Sequence, residues 1–168
     1  MAKVIAVEQV STDEEVFDFT VEDDHNYFAG HGSPILVHNC HQANAAAFSR
    51  VLNRINVRRK LGLTATVHRK DCCHPDSIVR TRNSYKKAKD VLVGDEVLSF
   101  NKITCVREYR KVVAKHNRAT GPMLEILYEG GSLRVTPDHE LWSVTRDRYV
   151  VAREVTLGEE LLPHRPSA

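Results

Sequence analysis

Period-two alternation of apolar and polar side chains runs through both ends of this chain and stops in its middle. KVIAVEQV at residues 3–10 and VFDFTV at residues 16–21 alternate as half-buried strands do, because successive side chains of an extended chain point to opposite faces. Gly30, Gly32 and Pro34 then mark a turn before a short strand at residues 35–37. The alternation returns in SIVRT, VLVGDEVLSF, VREYRKVVAKH and MLEILYEGGSLRVT, where Gly130 and Gly131 offer the positive φ of a tight hairpin, and again in LWSV and YVVAREV. Short strands at such spacing predict an all-β sandwich or barrel-like fold. No long internal repeat is evident, and HRPSA at the end reads as a frayed tail.

Between residues 40 and 71 the pattern changes. QANAAAFSRVLNRIN has three consecutive alanines, and Phe48, Val51, Leu52 and Ile55 follow the spacing of an amphipathic helix; LGLTAT after it reads as a strand. One helix and one strand in 32 residues cannot close a core, so this stretch reads as a fragment of a larger domain. Charge divides the chain at the same places. Residues 1–39 carry 1 basic and 8 acidic side chains, residues 40–71 carry 7 and 1, and residues 72–168 carry 16 and 13, within a net charge of only +2. Three segments, 1–39, 40–71 and 72–168, follow.

No apolar run approaches the roughly 20 residues that span a bilayer, and MAKVIAVEQV lacks the basic-then-apolar opening of a secretory signal. Cys40, Cys72, Cys73 and Cys105 are too few and too irregular for a disulfide scaffold, so a reducing, cytoplasmic setting is expected. Cys72, Cys73 and His74 lack the two-to-four-residue spacing of tetrahedral zinc ligands, and no metal or cofactor is expected.

ILVHNC at residues 35–40 carries the chemistry. The Asn39 side-chain amide can attack its own main-chain carbonyl and release Cys40, whose thiol can take an acyl group, while His38 is suited to proton transfer near neutral pH. Upstream, FDFTVEDDHNYFAG holds Asp18 and His25. CCHPDSIVRT at residues 72–81 has Cys72 four residues before Asp76 and Ser77, and GGSLRVTPDHELWSV holds Thr136, Asp138 and His139. Taken singly, each string reads as an ordinary loop or hairpin with a surface histidine. Together they resemble the motifs of inteins, the self-splicing domains of the Hint (hedgehog/intein) fold. That resemblance implies that Cys72, rather than Cys73, attacks the Asp71 carbonyl to form a thioester. His139 would protonate the Cys72 amide nitrogen, Thr136 would hold the oxyanion, and Asp18 and His25 would support acyl transfer and Asn39 cyclisation. The family's C-terminal part stands at residues 1–39 and its N-terminal part from residue 72, the reverse of the contiguous order, and no endonuclease is present.

The segment between them, from Cys40 to Asp71, resembles a piece of superfamily-two helicases, ending beyond a Thr-Ala-Thr motif. No phosphate-binding Gly-Lys-Thr loop is present, so ATPase activity is not expected. Its positive charge reads more plainly as a solvated helix face than as a nucleic-acid site. The expected function is autocatalytic splicing around a helicase-derived extein. The two intein segments are partners of each other, giving a cyclic peptide, or of complementary split-intein halves on other chains. A nucleic-acid-binding helicase fragment with inactive β flanks is the alternative. A hedgehog-type autoprocessing domain would share Cys72 and Thr136-x-x-His139 without needing His38 and Asn39.

Overall fold

The computed structural model describes residues 1–11, 14–38, 72–118 and 121–164. The predicted helix at residues 42–56 and strand at 61–66 lie outside them, as do Asn39, Cys40 and Asp71. The first segment supplies β1 (Ala2–Ser11), β2 (Val16–Val21), β3 (Asn26–Ala29), β4 (His31–Gly32) and β5 (Ile35–His38). The third supplies β6 (Ile78–Arg80), β7 (Tyr85–Lys87), β8 (Glu96–Asn101), β9 (Val106–Arg118), β10 (Pro122–Tyr128), β11 (Gly131–Val135), β12 (Glu140–Ser143), β13 (Arg148–Val151) and β14 (Glu160–Leu161). Every strand pair among the described residues is antiparallel. The chain is all-β here, with helical geometry confined to the 3-10 turns Ala88–Asp90 and Ala152–Glu154 among the described residues.

One sheet runs β4-β11-β10-β1-β14-β12-β5-β3-β6-β7, with β13 also on β12, and a second runs β2-β9-β8. Strands of the two segments alternate in both sheets. β1 lies between β10 and β14, the β3–β5 pair lies between β12 and β6, and β2 pairs with β9. Without the first segment, β10, β14, β12, β6 and β9 would each expose an edge. The main core is likewise shared: Phe19, Val21, Tyr27, Ile35 and Val37 pack with Cys73, Val79, Ile126, Leu133, Val135 and Leu141. Each such side chain contributes about 1.5–3 kcal/mol on burial, so apolar contact rather than net charge holds the segments together.

The third segment contains a short doubled device. In His74-Pro75-Asp76-Ser77 the Ser77 N–H donates to the His74 carbonyl at 2.9 Å, and in Thr136-Pro137-Asp138-His139 the His139 N–H donates to the Thr136 carbonyl at 3.0 Å. A short hairpin follows each, β6–β7 and β12–β13, and each hairpin ends in a 3-10 turn. The Ala88 N–H returns to the Ser77 carbonyl at 2.8 Å, and the Ala152 N–H to the His139 carbonyl at 2.7 Å. Gly94 (φ 95°) and Gly158 (φ 81°) then reverse the chain in left-handed backbone that glycine adopts without steric cost.

Candidate active site

Residues 72–74 form a short extended stretch laid between the two segments. The Cys73 N–H donates to the Phe17 carbonyl at 2.7 Å, the Phe17 N–H returns to the Cys73 carbonyl at 3.0 Å, and Cys73 also bridges Val135 on the other side. Thr136 clasps Cys72. The Cys72 N–H donates to Thr136 Oγ1 at 2.9 Å, and the Thr136 N–H donates to the Cys72 carbonyl at 2.9 Å.

Neighbouring side chains of an extended chain diverge, and the two thiols do so here. Cys72 packs with Val16 and Met123, whereas Cys73 belongs to the main core. Cys73 Sγ lies 3.5 Å from the Tyr27 hydroxyl and 3.8 Å from His139 Nε2. The Tyr27 hydroxyl in turn donates to Asp18 Oδ1 at 3.2 Å. Asp18, Tyr27, Cys72, Cys73, Thr136 and His139 are all buried. Burial, reinforced by Cys73 and Asp18, raises the Tyr27 phenol well above its ordinary range, which keeps it a hydrogen-bond donor.

The sequence expectation put His139 at the Cys72 amide and Thr136 on the oxyanion. In the structure the Thr136 hydroxyl meets the Cys72 amide nitrogen, and the imidazole edge of His139 faces the Cys73 thiol. This arrangement engages the nitrogen side of the Asp71–Cys72 bond. A hydroxyl can both accept and donate, so the group that accepts from this N–H can also turn to donate.

The other expected residues are spread around this centre. Asp138 is half exposed, and its carboxylate is held by Arg153 at the surface. His25 sits at the turn before β3 with φ 51°, in the left-handed region that histidine tolerates. Its neighbour Asn26 works as a staple. The Asn26 amide donates to the Phe100 carbonyl at 2.9 Å and accepts from the Phe100 N–H at 2.8 Å, copying a strand pair between β3 and β8. His38 ends β5 opposite Glu140, with Nδ1 3.0 Å from Glu140 Oε2 and its ring 4.5 Å from that of Tyr149. Cys73, Tyr27, Glu140 and Tyr149 were not among the expected site residues. Only the period-two face shared by Phe17, Phe19 and their neighbours could have hinted at Tyr27, whose strand is buried on both sides.

Glu14, His74 and Asp76 bring three donor atoms within 4.8 Å of one another. Asp76 is already paired with Lys87 at 2.9 Å and Lys89 at 3.2 Å, whose hydrogen bonds hold its carboxyl at about 2. Burial, then the nearby Arg134 charge, lowers His74 below its ordinary value. Three cations around one acidic pair and a neutral imidazole describe an ion-pair network better than a metal seat.

No family model matches the chain. It is similar to the ATP-dependent DNA helicase Hel308 of Thermococcus kodakarensis, 29% identical over 111 residues, which cover 65% of this chain and 9% of that relative. The chain therefore spans about a tenth of the relative's length. An aligned stretch of 111 residues is longer than the 32-residue middle segment, so it extends into the flanking β segments.

Proposed function

We propose that this chain is a self-processing, intein-like domain of the Hint fold that splices out residues 40–71. The observation that carries the reading is the clasp of Cys72 by Thr136 with His139, Asp18 and Tyr27 buried beside it, because motifs far apart in sequence meet there. The Cys72 thiol adds to the Asp71 carbonyl, the C–N bond breaks, and the Cys72 nitrogen takes a proton, leaving a thioester. The Cys40 thiol then takes the acyl group by thiol exchange. The Asn39 amide closes on its own carbonyl and frees the Cys40 nitrogen, and an S-to-N shift leaves a peptide bond. With both segments in one chain the product is a cyclic peptide of 32 residues; with halves on other chains it is a ligated extein. The alternation of the two segments within each sheet supports the first. Cys72, Cys73 and Cys105 are free thiols, which suits a reducing cytoplasm. No helix among the described residues is long and apolar enough to cross a membrane.

The relative's name favours a second reading, a helicase fragment that binds nucleic acid. Intact-mass spectrometry of freshly made protein separates the two. Loss of residues 40–71, or hydroxylamine-sensitive cleavage after Asp71, supports splicing. A single unchanged mass with salt-sensitive DNA binding supports the fragment.

A further inference from the structure

Glu140 directly follows His139 in the chain, yet its side chain belongs to the other junction. We propose that Glu140 is a positioning residue for His38, fixing the tautomer and tilt of the imidazole for the step at the Asn39–Cys40 bond. The inference deepens the splicing reading and rests on it.

Strand register sets the pair: His38 of β5 lies opposite Glu140 of β12, with Asn26 of β3 on its other side. The separation of 3.0 Å between His38 Nδ1 and Glu140 Oε2 is an ion-pair distance rather than an aligned hydrogen bond. The imidazole is also held by Tyr149 of β13, tilted 44° against it, and the Lys102 ammonium lies 3.7 Å from the Tyr149 ring centre. Glu140 and Lys102 are thus the charged groups around the ring. A carboxylate oxygen this close favours, by its charge rather than by an aligned hydrogen bond, the tautomer with the proton on Nδ1, and Nε2 is then the atom for proton exchange.

The doubled device adds an independent argument. His139 occupies the place of Ser77, so Glu140 occupies the place of Ile78, where the same turn and hairpin form around an apolar side chain. The backbone therefore does not require a carboxylate at this position. One dipeptide serves both junctions, its imidazole turned to the buried thiols and its carboxylate to His38.

The test is the rate of release at the Asn39–Cys40 bond, read by intact mass in the full chain, its Glu140→Gln variant and its Glu140→Asp variant. Glu140→Gln should slow this release on the order of tenfold. Glu140→Asp should restore part of the rate, and cleavage after Asp71 should change less than release at Asn39. A parent chain that never breaks at Asn39–Cys40 overturns the splicing reading together with this inference. A parent that cleaves while Glu140→Gln keeps its rate overturns the inference alone, as does equal slowing of both junctions with a lowered melting temperature.

Discussion

His74-Pro75-Asp76-Ser77 and Thr136-Pro137-Asp138-His139 are built alike and carry different chemistry. Both close the same turn, both send a carbonyl to a following 3-10 turn, and both use an aspartate to hold a basic side chain of that turn, Lys89 in one case and Arg153 in the other. Each aspartate thus ties its turn to the 3-10 turn that follows. What differs is the residue at each end. Thr136 and His139 are buried against Cys72 and Cys73, whereas the first copy has a His74 tied to Asp76 and Glu14 and a buried serine. A repeated turn fixes where a side chain points, and substitution at its two ends sets which groups that side chain meets.

The largest effect that can sharpen this contrast lies at the thiols. Cys72→Ala should abolish cleavage after Asp71 while Asn39 cyclisation continues, and Cys73→Ala should retain thioester formation. Thiol-inducible cleavage that survives in Cys72→Ala and disappears in Cys73→Ala would reassign the nucleophile to the thiol that touches His139.

Next come the ends of the two turns. His139→Ala should slow cleavage after Asp71 by about 10²-fold or more, while Ser77→Ala at the matching place should change it less than about threefold. Equal rates in both variants, measured by single-turnover cleavage with a thiol, would erase the distinction.

The shared backbone predicts a matched pair of smaller effects. Gly94→Ala and Gly158→Ala each place a Cβ in left-handed backbone with no close atom nearby, so each should cost about 1 kcal/mol in denaturant melts. A difference of more than about twofold between them would show that the copies are not equivalent.

The smallest effect is electrostatic. Lys87 and Lys89 hold the Asp76 carboxyl at about 2, below its unfolded value of about 4, so its stabilisation is present above pH 4 and is lost as pH falls through 2. The pair is partly open to solvent, so Asp76→Asn should cost roughly 0.5–1 kcal/mol at pH 7 and progressively less as pH falls toward and below 2. Asp138→Asn should cost a similar amount at pH 7 without affecting cleavage after Asp71. Loss of that cleavage would return Asp138 to the reactive group.

Much of this was legible in the sequence. β1 and the β10–β11 hairpin each have one covered face, and period-two alternation records that directly. β3 was read as part of a turn region because all four of its residues are buried, and a strand covered on both faces does not alternate. VLVG was read as strand, but Leu92 and Val93 are exposed and precede the Gly94 reversal; the strand starts at Glu96. AREV failed in the same way, since the chain enters a 3-10 turn at Ala152. The two misreadings share a cause, for AKDVLVGDEV and AREVTLGEEL are the repeat itself: Ala, Val, Gly and Glu are identical at matching places, and all but one of the other pairs keep their charge or apolar character. At the site, the motifs pointed to Cys72, Thr136 and His139, whereas the Tyr27–Asp18 contact arises from packing between the two sheets and the Glu140–His38 contact from strand register, which no single string encodes.

The alternation of segments has a consequence in time. Val4 pairs with Tyr128, more than a hundred residues later, so β1 has no partner until that strand exists. At about 5–20 residues added per second during synthesis, β1, β2 and β4, whose partners all lie in the third segment, wait several seconds as unpaired β-formers. Such edges recruit other chains, and a block of like charge is one defence against it. The 8 acidic side chains of residues 1–39, against 1 basic, keep copies of that segment apart until the later strands arrive.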